Sequence, residues 1–220
     1  IVLFNKTHFK VNLCKLSLLS CLFCQTHLGG RLRLASALVA TGQGQQASRI
    51  LLQELRDDPG NVQALLLHAD VLAESGRTNE ALIKLHRVLE LEPANVDAHI
   101  LAGTFAIEEE RWEESFIAWG LVRRLQPNHP TACLYLAQSL LAMHRPTAAK
   151  PLLQEYVERM DDKASAQEKI HIAELLLSSG EPILATSLLK PLSKDIPEKD
   201  PLKSRCLRLL AISLFSSGNI

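Results

Sequence analysis

The feature that most constrains this chain is a period. Pro59, Pro93 and Pro127 stand 34 residues apart, and Pro197 follows 70 residues later, one further period of 34 and one of 36. The residues around the first three read LQELRDDPGN, VLELEPAN and VRRLQPNH: an amphipathic helix end, a proline, then a short polar turn. Self-similarity of this kind means stacked copies of one supersecondary unit, each too small to bury its apolar face alone.

Taking the proline as position 32 of a 34-residue unit aligns the rest. Position 8 reads Ala35, Ala69, Gly103, Ala137 and Ala173, and position 20 reads Ala47, Ala81, Ser115, Ala149 and Ala185. Large apolar residues fall at position 11 (Leu38, Leu72, Leu140, Leu176, with Ala106 departing in unit three) and at position 24 (Leu51, Leu85, Trp119, Leu153, Leu189). Position 15 is Gly42, Gly76, Glu110, His144 and Gly180. The pattern predicts two antiparallel helices of about fourteen residues per unit, joined by a tight turn near position 15. Small residues at positions 8 and 20 let the two backbones approach, and the large ones fill the space above and below. Glycine at position 15 suits a left-handed helix C-cap. Pro146 and Pro182, at position 17, fit the first turn of a second helix. The terminal proline stops the unit, because the residue before a proline resists helix. An apolar content built on Leu and Ala, with aromatics at only 5%, agrees with helices rather than strands.

These small positions, large positions and terminal prolines together resemble the tetratricopeptide repeat. VQALLLHADVLAESGRTNEALIKLHRVLELEPAN, residues 62–95, is the best-matching stretch. The resemblance runs from Leu28 to Ile220: about five units and the first helix of a sixth, SRCLRLLAISLFSSG. It implies an all-α, helical-hairpin solenoid wound as a right-handed superhelix, with a non-repeat leader at 1–27 and the solenoid at 28–220.

The chain also departs from its own pattern. MDDKASAQ carries two extra residues and puts Asp161 in the proline position, and unit five runs four residues long through KDIPEKDP. Pro151 and Pro191 fall inside second helices, where a proline removes a hydrogen bond and bends are expected. Ile220 falls just after a first helix and Ile1 is not a methionine, an arrangement expected of a piece of a longer chain. In the leader, Lys6, Lys10 and Lys15 precede a short apolar stretch, Leu16–Cys24, in the manner of a signal peptide, and Leu18–Cys21 resembles a lipoprotein box. A capping helix and sequence upstream of the true start are the alternatives. The favoured compartment is the cytoplasm, with export or lipid anchoring if the leader is a signal.

Charge and chemistry exclude several classes. Lys plus Arg and Asp plus Glu are 24 each, so no basic surplus exists to displace counterions from nucleic acid. No apolar run is long enough for a transmembrane span. Cys14, Cys21, Cys24 and His27 crowd into one short segment, whereas a structural zinc needs ligand pairs separated by more chain. His68 reads as a packed histidine, and His99 and His171 have no catalytic partner at a matching spacing. The run Glu108–Glu110 with Glu113 and Glu114 reads as solvated helix ends. No phosphate loop, HExxH, GxSxG or EF-hand occurs. The reading is of no enzyme, no catalytic residue, no metal, no cofactor and no small-molecule substrate.

The partner is expected to be a protein. In some members of the resembled family a basic clamp holds a partner's terminal carboxylate. The clamp positions here are Leu32, Ser36, Leu67, Asp97 and Leu101, or one unit later Leu66, Asp70, Leu101, Thr131 and Tyr135, and neither set matches. In stacked repeats of that family, positions 2, 5, 9 and 12 of the first helices line a concave groove. Position 5 is an apolar ladder of Leu32, Leu66, Ile100, Leu134 and Ile170. Position 12 accompanies it as Val39, Ala73, Ile107, Leu141 and Leu177. Position 9 is polar (Ser36, Asp70, Thr104, Gln138, Glu174), and Asp97 at position 2 and Glu108 at position 13 add acid at the rim. Such a groove suits a peptide or helix with apolar anchors and basic flanks. The function that follows is a protein-interaction scaffold; the alternative is the recruitment half of a larger enzyme, such as a glycosyltransferase or sulfotransferase.

Overall fold

A computed structural model describes residues 29–160, 164–197 and 200–218. The leader with its cysteines, and Asp161, lie outside these residues. Eleven helices and no strand occur among the described residues: α1 (Gly30–Ala40), α2 (Gly44–Asp57), α3 (Val62–Glu74), α4 (Thr78–Leu91), α5 (Val96–Glu108), α6 (Trp112–Leu125), α7 (Ala132–Ala142), α8 (Pro146–Arg159), α9 (Ala166–Ser179), α10 (Pro182–Asp195) and α11 (Pro201–Ser216). They pair into the hairpins that the period predicts. The chain forms two compact units, Ile1–Phe105 and Ala106–Ile220, with the boundary inside α5.

Each unit is built on the repeat positions. In the first, Ala35 with Ala47 and Ala69 with Ala81 have no exposure, and Leu51 and Leu85 fill the space around them. In the second, Ala137, Ala149, Ala173 and Ala185 are equally buried, with Leu153, Leu176 and Leu189 beside them. Trp119 and Ala106 take the corresponding large and departing positions and are also buried. At position 8 of α11, Ala211 is exposed and Phe215 on the same helix is 73% exposed, since no described helix lies over that face.

The connections follow their local chemistry. α2, α4 and α6 end before Pro59, Pro93 and Pro127. Asn61 Oδ1 accepts the Ala64 N–H at 3.1 Å and Asn95 Oδ1 accepts the Ala98 N–H at 2.9 Å, so the residue two after Pro59 and two after Pro93 caps the next first helix. α9 starts on a capping box in which Ser165 and Glu168 bond reciprocally. Pro146 and Pro182 stand in the first turns of α8 and α10, and both helices run on through Pro151 and Pro191.

At position 15 the glycines and non-glycines share one conformation. Gly42, Gly76 and Gly180 have φ of 75, 77 and 80°, while Glu110 and His144 are held at 57 and 58°. A Cβ in the left-handed region crowds the following carbonyl, so Glu110→Gly and His144→Gly are each expected to stabilise the chain by about 1 kcal/mol. Denaturant midpoints check this, and an unchanged or lowered midpoint contradicts it.

Candidate partner-binding groove

In the first unit, the first helices α1, α3 and α5 present the same positions to one concavity. With the starts of α3 and α5 fixed by Asn61 and Asn95, positions 2, 5, 6 and 9 share a face, because residues three and four apart are neighbours on a helix. Leu32 and Ser36 come from α1, Gln63, Leu66, Leu67 and Asp70 from α3, and Asp97 and Leu101 from α5, around a cavity of about 350 Å³. Five residues chosen from sequence as groove residues (Leu32, Ser36, Leu66, Asp70, Asp97) meet there. Gln63, Leu67 and Leu101 line the same cavity beside the residues that the ladder predicts.

The leucines have a double role. Leu32 and Leu66 are half-buried and pack against the unit's core clusters while lining the cavity. The hydroxyls are used locally: Ser36 Oγ donates to the Leu32 carbonyl at 2.9 Å, and Thr104 Oγ1 donates to the Ile100 carbonyl at 2.8 Å. Ile100 and Thr104 are half-buried on α5 but do not line this cavity. The wall carries two carboxylates, and none of its described lining residues is basic. Its Leu32, Ser36, Leu67, Asp97 and Leu101 are the first set of clamp positions, and no lysine or arginine stands among them.

The second unit treats the same positions differently. Leu134 and Gln138 are half-buried on α7, and Leu134 packs against the core. Ile170 was expected in the groove ladder; instead it is 1% exposed and belongs to the core cluster built from α7–α11, where it has no free face. Glu174 is engaged by Arg205 of α11, whose Nε and Nη2 donate to its two carboxylate oxygens at 2.8 Å each. Sequence alone did not pair them; they are position 9 of one repeat and position 2 of the next.

Two histidines of the first unit make packing contacts. His68 is buried, with Nε2 at 3.0 Å from Ser48 Oγ, and burial, followed by Lys84 and Arg77, pushes its pKa below the ordinary value. His99 Nε2 donates to the Pro93 carbonyl at 3.0 Å, tying α5 to the preceding turn. Glu108, Glu109, Glu110, Glu113 and Glu114 are all exposed, with Arg111 paired to Glu114. A further cavity of about 490 Å³ lies in the second unit, where Trp112, Phe116 and Ile117 of α6 face Met143–Arg145 of the next hairpin turn. No helix among the described residues is long and apolar enough to cross a membrane.

Comparison with known proteins agrees with this architecture. A family model described as tetratricopeptide repeat matches residues 32–85 and 66–130. No curated protein matches the sequence. Among solved structures, PilF of Pseudomonas aeruginosa superposes with a TM-score of 0.68 at 19% identity, covering 86% of this chain and 83% of its own. MamA of Desulfovibrio magneticus RS-1 gives 0.66 at 16% identity, covering 76% and 96%. YrrB, described as a repeat protein of this kind with an unusual peptide-binding site, gives 0.64 at 17% identity, covering 77% and 84%.

Proposed function

We propose that this chain, whose residues 32–130 match a tetratricopeptide-repeat family model, is a non-enzymatic scaffold that holds a partner's peptide or helix in the groove of α1, α3 and α5. The observation that carries this reading is the convergence of Leu32, Leu66, Leu67 and Leu101 with Asp70 and Asp97 on one cavity. The half-buried leucines that line this cavity supply apolar anchoring, and the acidic rim favours partners with basic flanks. Ile100 and Thr104 on α5 extend the proposed face within the first unit, and Leu134, Gln138 and Glu174 are proposed separately as groove residues of the second unit. Ile170 is left out because it is buried.

The test is selection of peptides from a phage-displayed random library on the full chain. Recovery of a shared apolar motif is expected. Ser36 is exposed at the cavity wall, so Ser36→Trp fills the cavity without opening the core. It should weaken a synthetic peptide of that motif by about tenfold or more, as loss of a central pocket does, while melting stays within a few degrees. The absence of any motif, or a motif peptide that binds the tryptophan variant equally well, would sink the groove.

A further inference from the structure

Beyond the groove, we propose that the second unit carries a separate docking site, in the cavity between α6 and the α7–α8 turn, for a partner segment that presents an aromatic side chain beside an acidic one.

The acidic part follows from position 16 of the repeat. Arg77 and Arg111 stand there in units two and three, and each is held by the glutamate three residues on, Glu80 at 2.6 Å and Glu114 at 3.0 Å. Unit four keeps the arginine, Arg145, but carries Ala148 where the glutamate would be. The Arg145 side chain is exposed and has no carboxylate partner among the described residues. Two features keep this end of the cavity cationic. Arg145 directly precedes α8, whose positive N-terminal end has no acid in its first turn. Glu113, the carboxylate on the opposite wall, stands in the first turn of α6, where that helix's own positive end offsets it. A carboxylate arriving from a partner therefore takes the place that Glu80 and Glu114 fill within the chain.

The aromatic part follows from the rest of the wall. Trp112, Phe116 and Ile117 of α6 face Met143 across about 490 Å³, a volume in the range of pockets that enclose a ligand group. Trp112, Phe116 and Met143 are half-buried, whereas Ile117 is 63% exposed, so the cavity is apolar and open on the Ile117 side. Two ring systems and a thioether complement another aromatic ring, through offset ring contacts and sulfur–ring packing. The site shares no residue with the cavity of α1, α3 and α5.

The experiment pans a phage-displayed random peptide library on the full chain and retests every clone on Ser36→Trp. Clones that bind the two equally do not use the groove, and they should share an aromatic residue next to Asp or Glu. In a synthetic peptide of that motif, alanine in place of the aromatic residue should cost about tenfold or more, as loss of a central anchor does. The amide in place of the acid keeps the shape and loses the charge; it should bind wild type about fivefold more weakly, the upper range for an exposed ion pair. On Arg145→Gln, acid and amide peptides should bind alike. The absence of groove-independent clones, or a motif without an acid, overturns the inference and leaves the groove intact. An amide peptide bound by wild type as tightly as the acid also overturns it, and this comparison needs no variant to fold. A basic residue in place of the acid assigns the cavity to Glu113 and overturns it too. Self-association that Arg145→Gln abolishes, with no groove-independent clone, assigns the site to a second copy and has the same consequence.

Discussion

Trp119→Ala is expected to lower the unfolding free energy by about 4 kcal/mol, the range for truncating a fully buried aromatic. Trp119 sits at position 24, where the other units carry leucine. It is 1% exposed and is the largest fully buried side chain among the described residues. Its ring stacks on Tyr135 with centroids 4.4 Å apart and a 26° interplanar angle, and His129 lies at 5.9 Å on a tilted plane. Alanine therefore leaves a cavity and removes an aromatic pair together. Trp119→Phe separates the contributions. It keeps a ring against Tyr135 and removes an indole N–H that is buried with no partner in the structure, so its cost should stay below about 1.5 kcal/mol. Urea unfolding followed by circular dichroism measures both. A phenylalanine variant as unstable as the alanine one would show that the full indole volume, rather than a ring against Tyr135, is what the site requires.

The second large effect concerns a small residue. Ala81→Leu should cost about 3 kcal/mol, the upper end for overpacking a filled core. Ala81 stands at position 20, has no exposure, and shares its core cluster with Ala69 at position 8, Leu72, Leu85 and Phe105. Added methylenes have nowhere to go unless α3 and α4 separate. Ile83, two residues along α4, is 66% exposed, so Ile83→Asn should change stability by less than about 0.5 kcal/mol and serves as the control on the same helix. Equal effects at the two positions would mean that position 20 is not the close-packing point of the hairpin.

Those two residues also mark what could be read in advance. The alanines at positions 8 and 20, the leucines at 11 and 24, and the terminal prolines recur at a fixed period, and a hairpin buries such positions whatever its neighbours do. Helix boundaries were equally legible, because proline and glycine act through their own backbone conformations. Glu110 and His144 show the limit of that rule: the turn imposes its left-handed φ even where no glycine stands. The Ser115–Ser139 contact at 2.9 Å was not legible at all. Serine at position 20 read only as a small residue, yet it meets position 10 of the next unit, and Ser139 Oγ in turn donates to the Tyr135 carbonyl at 2.9 Å.

The groove divides the same way. Sequence by itself determined the repeat, its two helices, which residues pack the hairpins, and that position 5 is apolar and position 9 polar, because each of these follows from a local backbone preference or from a period carried by one helix. Tertiary structure alone decided which of those residues share a wall. Burial and charge pairing depend on distances between helices, and a period carries no information about how closely successive units pack. That is why Ile170 disappears into the core of the second unit, why Glu174 finds Arg205, and why Asp70 and Asp97 come to line one cavity beside four leucines.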